Sequence, residues 1–260
     1  MDTHELIISV ITVNLNNKAG LTKTIDSVAR QSYDHIEYIV IDGASTDGSV
    51  DILRENEKKM ACWISEPDKG VYQAMNKGID RATGDYLFFL NSGDYFADDT
   101  VIEKFVSLRP DADVVYGDIY LEKNGNLRPH RYPEKITMNF LYVRSLCHQA
   151  TFFKSYLFQQ YGKYDEGFRI VSDWQFCLNL YLNTPAVFKK IDLTISVFNN
   201  DGISGPNTDI ELHRSERKSV IEALLPQFCR VLSETGVRYN LPVSMPVKLI
   251  TRMRNLFKPV

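Results

Sequence analysis

Polar side chains stand at the ends of four successive apolar runs in the first hundred residues. Asn14 follows IISVITV, Asp42 follows IEYIVI, Glu66 and Asp68 follow ACWIS, and Asn91 and Asp94 follow DYLFFL. Asp, Asn and Gly favour turns, so any one of these is unexceptional. Four together, three of them bearing acids, point to one polar cluster. A dinucleotide site would need glycines after the first run, where the chain reads NLNNKAG, and no GxxxxGK[ST] phosphate loop occurs anywhere. Without a glycine cradle, the acids suggest a divalent cation, Mn2+ or Mg2+, bridging carboxylate and diphosphate oxygens. The turn LNSGD supplies one carboxylate for that purpose, Asp94, whereas Asn91 can hydrogen-bond but brings no charge.

To gather these groups the chain must bring the run ends together. Up to about residue 117, short β-branched or aromatic runs alternate with segments of helical period, which predicts a parallel sheet with helices on its faces. Strands are expected near 6–13, 35–41, 60–65, 85–90 and 113–117, with helices between them. Within 70–82, Val71, Ala74, Met75 and Ile79 share one helical face. In such a sheet the ligand site lies beyond the carboxyl ends of the strands. After residue 117 the pattern changes: IYLEKNGNLRPHRYP reads as a hairpin turning at Asn124 and Gly125, followed by a mixed region. Ser172 is expected to cap a helix that begins near Asp173 and ends before Pro185, and another helix is expected over 208–224.

With 260 residues, 44 % hydrophobic and 24 % charged, the chain can bury a substantial core. A formal net charge of −3 gives no electrostatic reason to expect nucleic acid as partner. Cys62, Cys147, Cys177 and Cys229 form no CxxC pair and read as reduced thiols. The run LIISVITV is too short for a signal core, lacks a basic region before it, and no stretch approaches the roughly 18–20 apolar residues that span a bilayer. A cytoplasmic protein is the resulting expectation. Two basic features stand out locally. Arg128, His130 and Arg131 sit in the hairpin, where they could meet an acceptor phosphate or remain solvated hairpin charge. The tail carries Arg238, Lys248, Arg252, Arg254 and Lys258 after its last acid, Glu234, and within 246–258 Val247, Ile250, Met253 and Phe257 fit one helical face. That pattern suits peripheral contact with an anionic membrane, and a surface helix packed on its own domain reads almost the same way.

At IVIDGASTDGSVDIL, SEPDKGVYQAMNKGIDRATGDYLFFLNSGD and FRIVSDWQFCLNL the chain resembles family 2 glycosyltransferases of the GT-A type, in the branch that assembles bacterial polysaccharides and surface glycans. The resemblance implies an α/β GT-A fold with a Rossmann-like, mostly parallel sheet and C-terminal helices. A transferase domain would occupy 1–206, with a nucleotide-sugar half over 1–117 and an acceptor and base half over 118–206; a helical extension would follow over 207–260. It implies hexosyl transfer with inversion from a nucleotide-diphosphate donor, expected to be a UDP-sugar, to a hydroxyl of a glycan or lipid-linked glycan. On the matching positions, Asp42 and Asn14 would border the base and ribose, and Asp68, Lys69, Asn76 and Asn91 would also face the donor. Asp94 would hold the metal, Asp173 would be the general base, with Asp165 and Glu166 as rival acids, and His148 and Gln149 of CHQATFF would border the acceptor. NNDGISGPN, 199–207, resembles the family's loop near the diphosphate. The chain departs from the pattern in three places: Met75 replaces an arginine, Ser172 replaces the first acid before the base, and the metal turn keeps one acid of its usual two or three. These losses keep a second expectation open, a silent relative that binds nucleotide or glycan as an assembly partner.

Overall fold

The computed structural model describes residues 5–199 and 209–225. Its N-terminal half follows the predicted alternation: β1 (Ile8–Asn14), α1 (Lys18–Ala29), β2 (Ile36–Asp42), α2 (Ser49–Glu55), β3 (Cys62–Ser65), α3 (Val71–Arg81) and β4 (Tyr86–Phe89). Strands 3-2-1-4 lie side by side and all parallel, with Asn14 beside Asp42 and Asp42 beside Ser65 in register. This register brings three of the polar run ends to one edge.

The remaining elements are β5 (Tyr95–Phe96), α4 (Val101–Ser107), β6 (Val114–Lys123), β7 (Asn126–His130), α5 (Met138–Val143), the 3-10 turn His148–Ala150, β8 (Thr151–Lys154), α6 (Tyr156–Tyr161), α7 (Ser172–Asn183), β9 (Phe188–Asn199) and α8 (Ile210–Leu224). The sheet of described strands runs 3-2-1-4-8-6-9-5, with β7 hairpinned onto β6. β8 is antiparallel to both β4 and β6, and so joins the two halves into one sheet. The expected hairpin is present, with Asn124 and Gly125 both at positive φ, 50° and 73°, as a two-residue turn between right-twisted strands requires.

Strand side chains alternate between two cores. Ile11, Val13, Ile39, Ile41, Leu87 and Phe89 face the side covered by α3 and α7. Val10, Tyr38, Val40, Phe88 and Phe152 face α1 and α4. Of the predicted α3 stripe, Ala74, Met75 and Ile79 are buried and Val71 is half-buried, with Met75 packed fully into the core. One expectation is corrected. Ser172 is the first residue of α7 and Val171 precedes it as cap, with no side-chain capping bond; the buried Ser172 hydroxyl instead accepts the Asp165 N–H at 2.6 Å. No helix among the described residues is long and apolar enough to cross a membrane. The loop over 200–207 and the basic tail over 246–258 lie outside the described residues.

Candidate active site

The carboxyl ends of β1, β2 and β3 are tied together by Asp42, which is fully buried. Its Oδ1 accepts from Asn14 Nδ2 at 2.7 Å and Ser45 Oγ at 2.6 Å, and its Oδ2 from Ser45 N at 2.9 Å and Ser65 Oγ at 2.7 Å. Burial works to raise this carboxyl, but the donors from Ser45, Ser65 and Asn14 outweigh it and hold it below the usual range. Asp42 therefore fixes the strand ends as an anion, and all four of its lone-pair directions are used. The open acceptor beside it is Asn14 Oδ1, buried and without a hydrogen-bond partner. Asp68 leans over the end of β2: a Cβ on Gly43 would lie 2.6 Å from Asp68 Oδ2, so a side chain there would push the Asp68 carboxylate aside. Leu15, 59 % exposed, stands on the same rim as an apolar surface above a polar floor. Lys69, which follows Asp68 in the chain, is exposed, while its backbone N–H is held by Gln73.

The turn after β4 is shaped by α1. Thr24 Oγ1 accepts from Gly93 N at 3.0 Å and donates to Asp94 O at 2.7 Å, while Asn17 Nδ2 donates to Ser92 O at 3.0 Å. Gly93 takes φ 106°, a conformation side chains disfavour. Asp94 is buried, accepting from Asn199 N at 2.8 Å and Gln149 Nε2 at 2.6 Å. Burial pushes its carboxyl up to about 6 against these neutral donors.

Asp173 lies in the first turn of α7, where the positive end of the helix favours its charge. Oδ1 accepts from Tyr72 OH at 3.0 Å and from Trp174 N at 2.8 Å, and Oδ2 meets His148 Nδ1 at 3.2 Å. The opposite ring nitrogen of His148, Nε2, lies 3.0 Å from Asn91 Nδ2. A continuous polar line thus joins the turn after β4 to the start of α7. Burial first, and then the nearby Asp173 charge, keep the Tyr72 phenol well above its ordinary range, so it stays a donor. The helix start is anchored from behind: Trp174 Nε1 donates to Leu141 O at 2.6 Å and the Arg217 guanidinium sits 3.9 Å above the Trp174 ring.

Several expected site residues are placed differently. Asn76 faces the loop before α7, donating to Tyr164 O at 2.8 Å and Glu166 Oε1 at 3.0 Å and accepting from Tyr164 N at 3.1 Å; it braces that loop and has no amide hydrogen left for a nucleotide. Gln149 is buried and points inward at Asp94, not toward an acceptor surface. Of the rival acids, Asp165 turns its own loop by accepting from Gly167 N, and Glu166 pairs with Gln73 and Asn76. Tyr72, Gln149 as a support for Asp94, and Leu15 were not expected at the site. They come from distant segments or read as ordinary core residues, and only the exposed leucine directly after Asn14 gave a local hint.

No group of three or more His, Cys, Asp or Glu side chains that could cage a metal occurs among the described residues. The donor set nevertheless suits an ion that brings most of its own ligands. A carboxylate has about four acceptor directions, and Asp94 uses two, both on neutral donors; His148 and Lys23 offset its burial only in part.

A family model described as Glycosyl transferase family 2 matches residues 9–169. A PGL/p-HBAD biosynthesis glycosyltransferase of Mycobacterium bovis is 32 % identical over 201 residues, covering 75 % of this chain and 77 % of that protein. An uncharacterised glycosyltransferase of Mycobacterium tuberculosis is 39 % identical over 181 residues, 67 % of this chain and 69 % of the relative. Among solved structures, S. aureus TarS 1-349 in complex with UDP-GlcNAc superposes with TM-score 0.63 at 18 % identity, over 75 % of this chain and 58 % of that one. The mannosyltransferase PcManGT from Pyrobaculum calidifontis in complex with GDP-Man and Mn2+ gives 0.58 at 16 %, over 98 % of this chain and 81 % of that one. At these identities the structural likeness speaks for the shared fold.

Proposed function

The chain belongs to glycosyltransferase family 2, and from that premise we propose that it moves a sugar, with inversion, from a UDP-sugar to a hydroxyl of a glycan or lipid-linked glycan. The observation that carries this reading is the lone pair left open on Asp173. Its Oδ1 already receives two donors and its Oδ2 only one, from His148, so Oδ2 keeps one direction free on a side chain that is 19 % exposed. That oxygen is the proton acceptor. The acceptor hydroxyl attacks the anomeric carbon while its proton passes to Oδ2, a new C–O bond forms, and the C–O bond to the diphosphate breaks with the electron pair leaving on phosphate oxygen.

The donor end is assigned to the strand edge. Asn14 Oδ1, the buried acceptor lacking a partner, suits an N–H of the base, with Leu15 against its face and Asp68 near the ribose. Asn91, whose Oδ1 is also buried without a partner, suits a donor hydroxyl, and Lys69 is free to swing toward phosphate. A divalent cation, when it arrives with the donor, would stabilise charge on the departing diphosphate. Asp94 would hold it, and a single carboxylate predicts weak binding without nucleotide.

The test is nucleoside-diphosphate release from a panel of nucleotide sugars with Mn2+ or Mg2+. A UDP-sugar should turn over, and Asp173→Asn should fold and lose on the order of 10²-fold or more in kcat. Near-wild-type turnover of that variant would remove Asp173 as base. Tight nucleotide binding with no turnover of any donor would instead favour a silent assembly partner.

A further inference from the structure

His148 lies between the two ends of the site. Its ring is 13 % exposed, with Nδ1 3.2 Å from Asp173 Oδ2 and Nε2 3.0 Å from Asn91 Nδ2. Because Asn91 Nδ2 can only donate, Nε2 is the accepting nitrogen and the ring proton sits on Nδ1, where it is donated to Asp173. If the Asn91 amide is turned the other way, its otherwise partnerless Oδ1 accepts from Nε2–H, and the ring then carries a proton on both nitrogens. In either arrangement Nδ1–H points at the carboxylate.

We propose that His148 is the positioning residue for the base: its Nδ1–H holds Asp173 in the orientation that leaves one Oδ2 lone pair for the acceptor. This rests on the reading of Asp173 given above and adds a role for a residue that the sequence had placed beside the acceptor. Tyr72 cannot substitute for it. The phenol holds the other oxygen, from α3, whereas His148 holds the oxygen that reacts.

The other titratable groups that sense Asp173 are Tyr132 after β7, Cys147 before the 3-10 turn, Tyr164 in the loop before α7, Cys177 one turn along α7, and His213 on α8. Among the described residues, none of these makes a hydrogen bond to its carboxylate. Removing His148 should therefore act on Asp173 chiefly through the lost Nδ1–H.

Loss of one hydrogen bond to a carboxylate disfavours its ionised form. The acid limb of kcat/KM reports the base in the free enzyme. That limb should move to higher pH in His148→Ala and in His148→Gln, whose amide reaches toward Asn91. It should return in His148→Asn, whose amide nitrogen falls near the Nδ1 position. A lower rate with an unmoved limb in all three would reduce His148 to packing and overturn the proposal. A second measurement is independent of turnover. Long-range ¹H–¹⁵N spectra of the ring in the unmodified protein should find Nδ1 protonated, and a bare Nδ1 would overturn the pairing. Should no donor turn over while Nδ1 is protonated, the glycosyl-transfer reading fails and the His148–Asp173 pair stands.

Discussion

Asp94 is buried with neutral hydrogen-bond donors, and the nearby Lys23 and His148 offset that burial only in part, which has a measurable consequence. Its carboxyl lies at about 6, against 3.8 for an ordinary aspartate, chiefly because it is buried. The folded state therefore binds this proton more tightly than the unfolded chain. The resulting stability is fully present below about pH 4 and is lost as pH rises toward 6. In EDTA, the unfolding free energy of Asp94→Asn minus that of the wild type should thus increase between about pH 4 and 6, by up to about 3 kcal/mol, and level off above. Urea titrations across that range measure it, and a flat difference would show that Asp94 is better solvated than its surroundings indicate. The sequence made the residue legible but not this environment. Asp94 is visible because it ends an apolar run; Gln149 and Asn199, which enclose it, come from 55 and 105 residues away and carry no spacing signal. Asn76 shows a different limit. Its place in a recognisable block suggested a donor contact, yet a side-chain amide satisfies a backbone peptide equally well, and here it braces Tyr164.

At the scale of elements, the position of Asp173 depends on α7, and α7 is held by α8. Glu216 accepts the N–H groups of Arg169 and Ile170 at 2.7 and 3.0 Å, just ahead of the helix start. Arg217, 6 % exposed, donates to Tyr142 O at 2.6 Å and covers the Trp174 ring, whose Nε1 in turn holds Leu141 O. Glu216, Arg217 and Trp174 together clamp α5, α7 and α8 beside the base. Arg217→Met keeps the hydrocarbon stem but leaves a buried carbonyl without its charged donor and removes the contact over the indole. Its expected cost is about 2–4 kcal/mol in chemical denaturation, with a fall in kcat because Trp174 is the next residue after Asp173. Full activity in a destabilised variant would separate the clamp from the chemistry. Helix α8 was legible from its period, and α7 almost to the residue. The clamp was not, since an Arg and a Glu on an amphipathic helix read as its solvated face until their partners are known.

For the whole molecule, legibility follows contact range. The parallel half was readable because βαβ units alternate locally and bury their strands on both faces, so that β1 is largely apolar with every residue buried. The second half was not, because β8 enters antiparallel between β4 and β6, and β9 pairs with β6 across more than 60 residues; neither pairing leaves a local period. The basic tail stands in a third relation to the sequence: its pattern is clear, but its structure lies outside the described residues. Taken as an interfacial helix, its five cations after Glu234 are each worth about 1 kcal/mol near an anionic surface, and the attraction is screened over about 8 Å at physiological salt. Deleting 241–260 removes four of those five, Lys248, Arg252, Arg254 and Lys258, together with the apolar face. Binding to vesicles containing phosphatidylserine should then fall by at least tenfold, and the intact chain should release from them as salt is raised. Turnover of a soluble acceptor should be unchanged by the deletion, because none of the residues assigned to donor, base or metal lies within it. Equal vesicle binding before and after the deletion would mean that the tail serves its own domain, and that any lipid-linked acceptor must be met elsewhere, with Arg128 and Arg131 of the hairpin as the next cations to test.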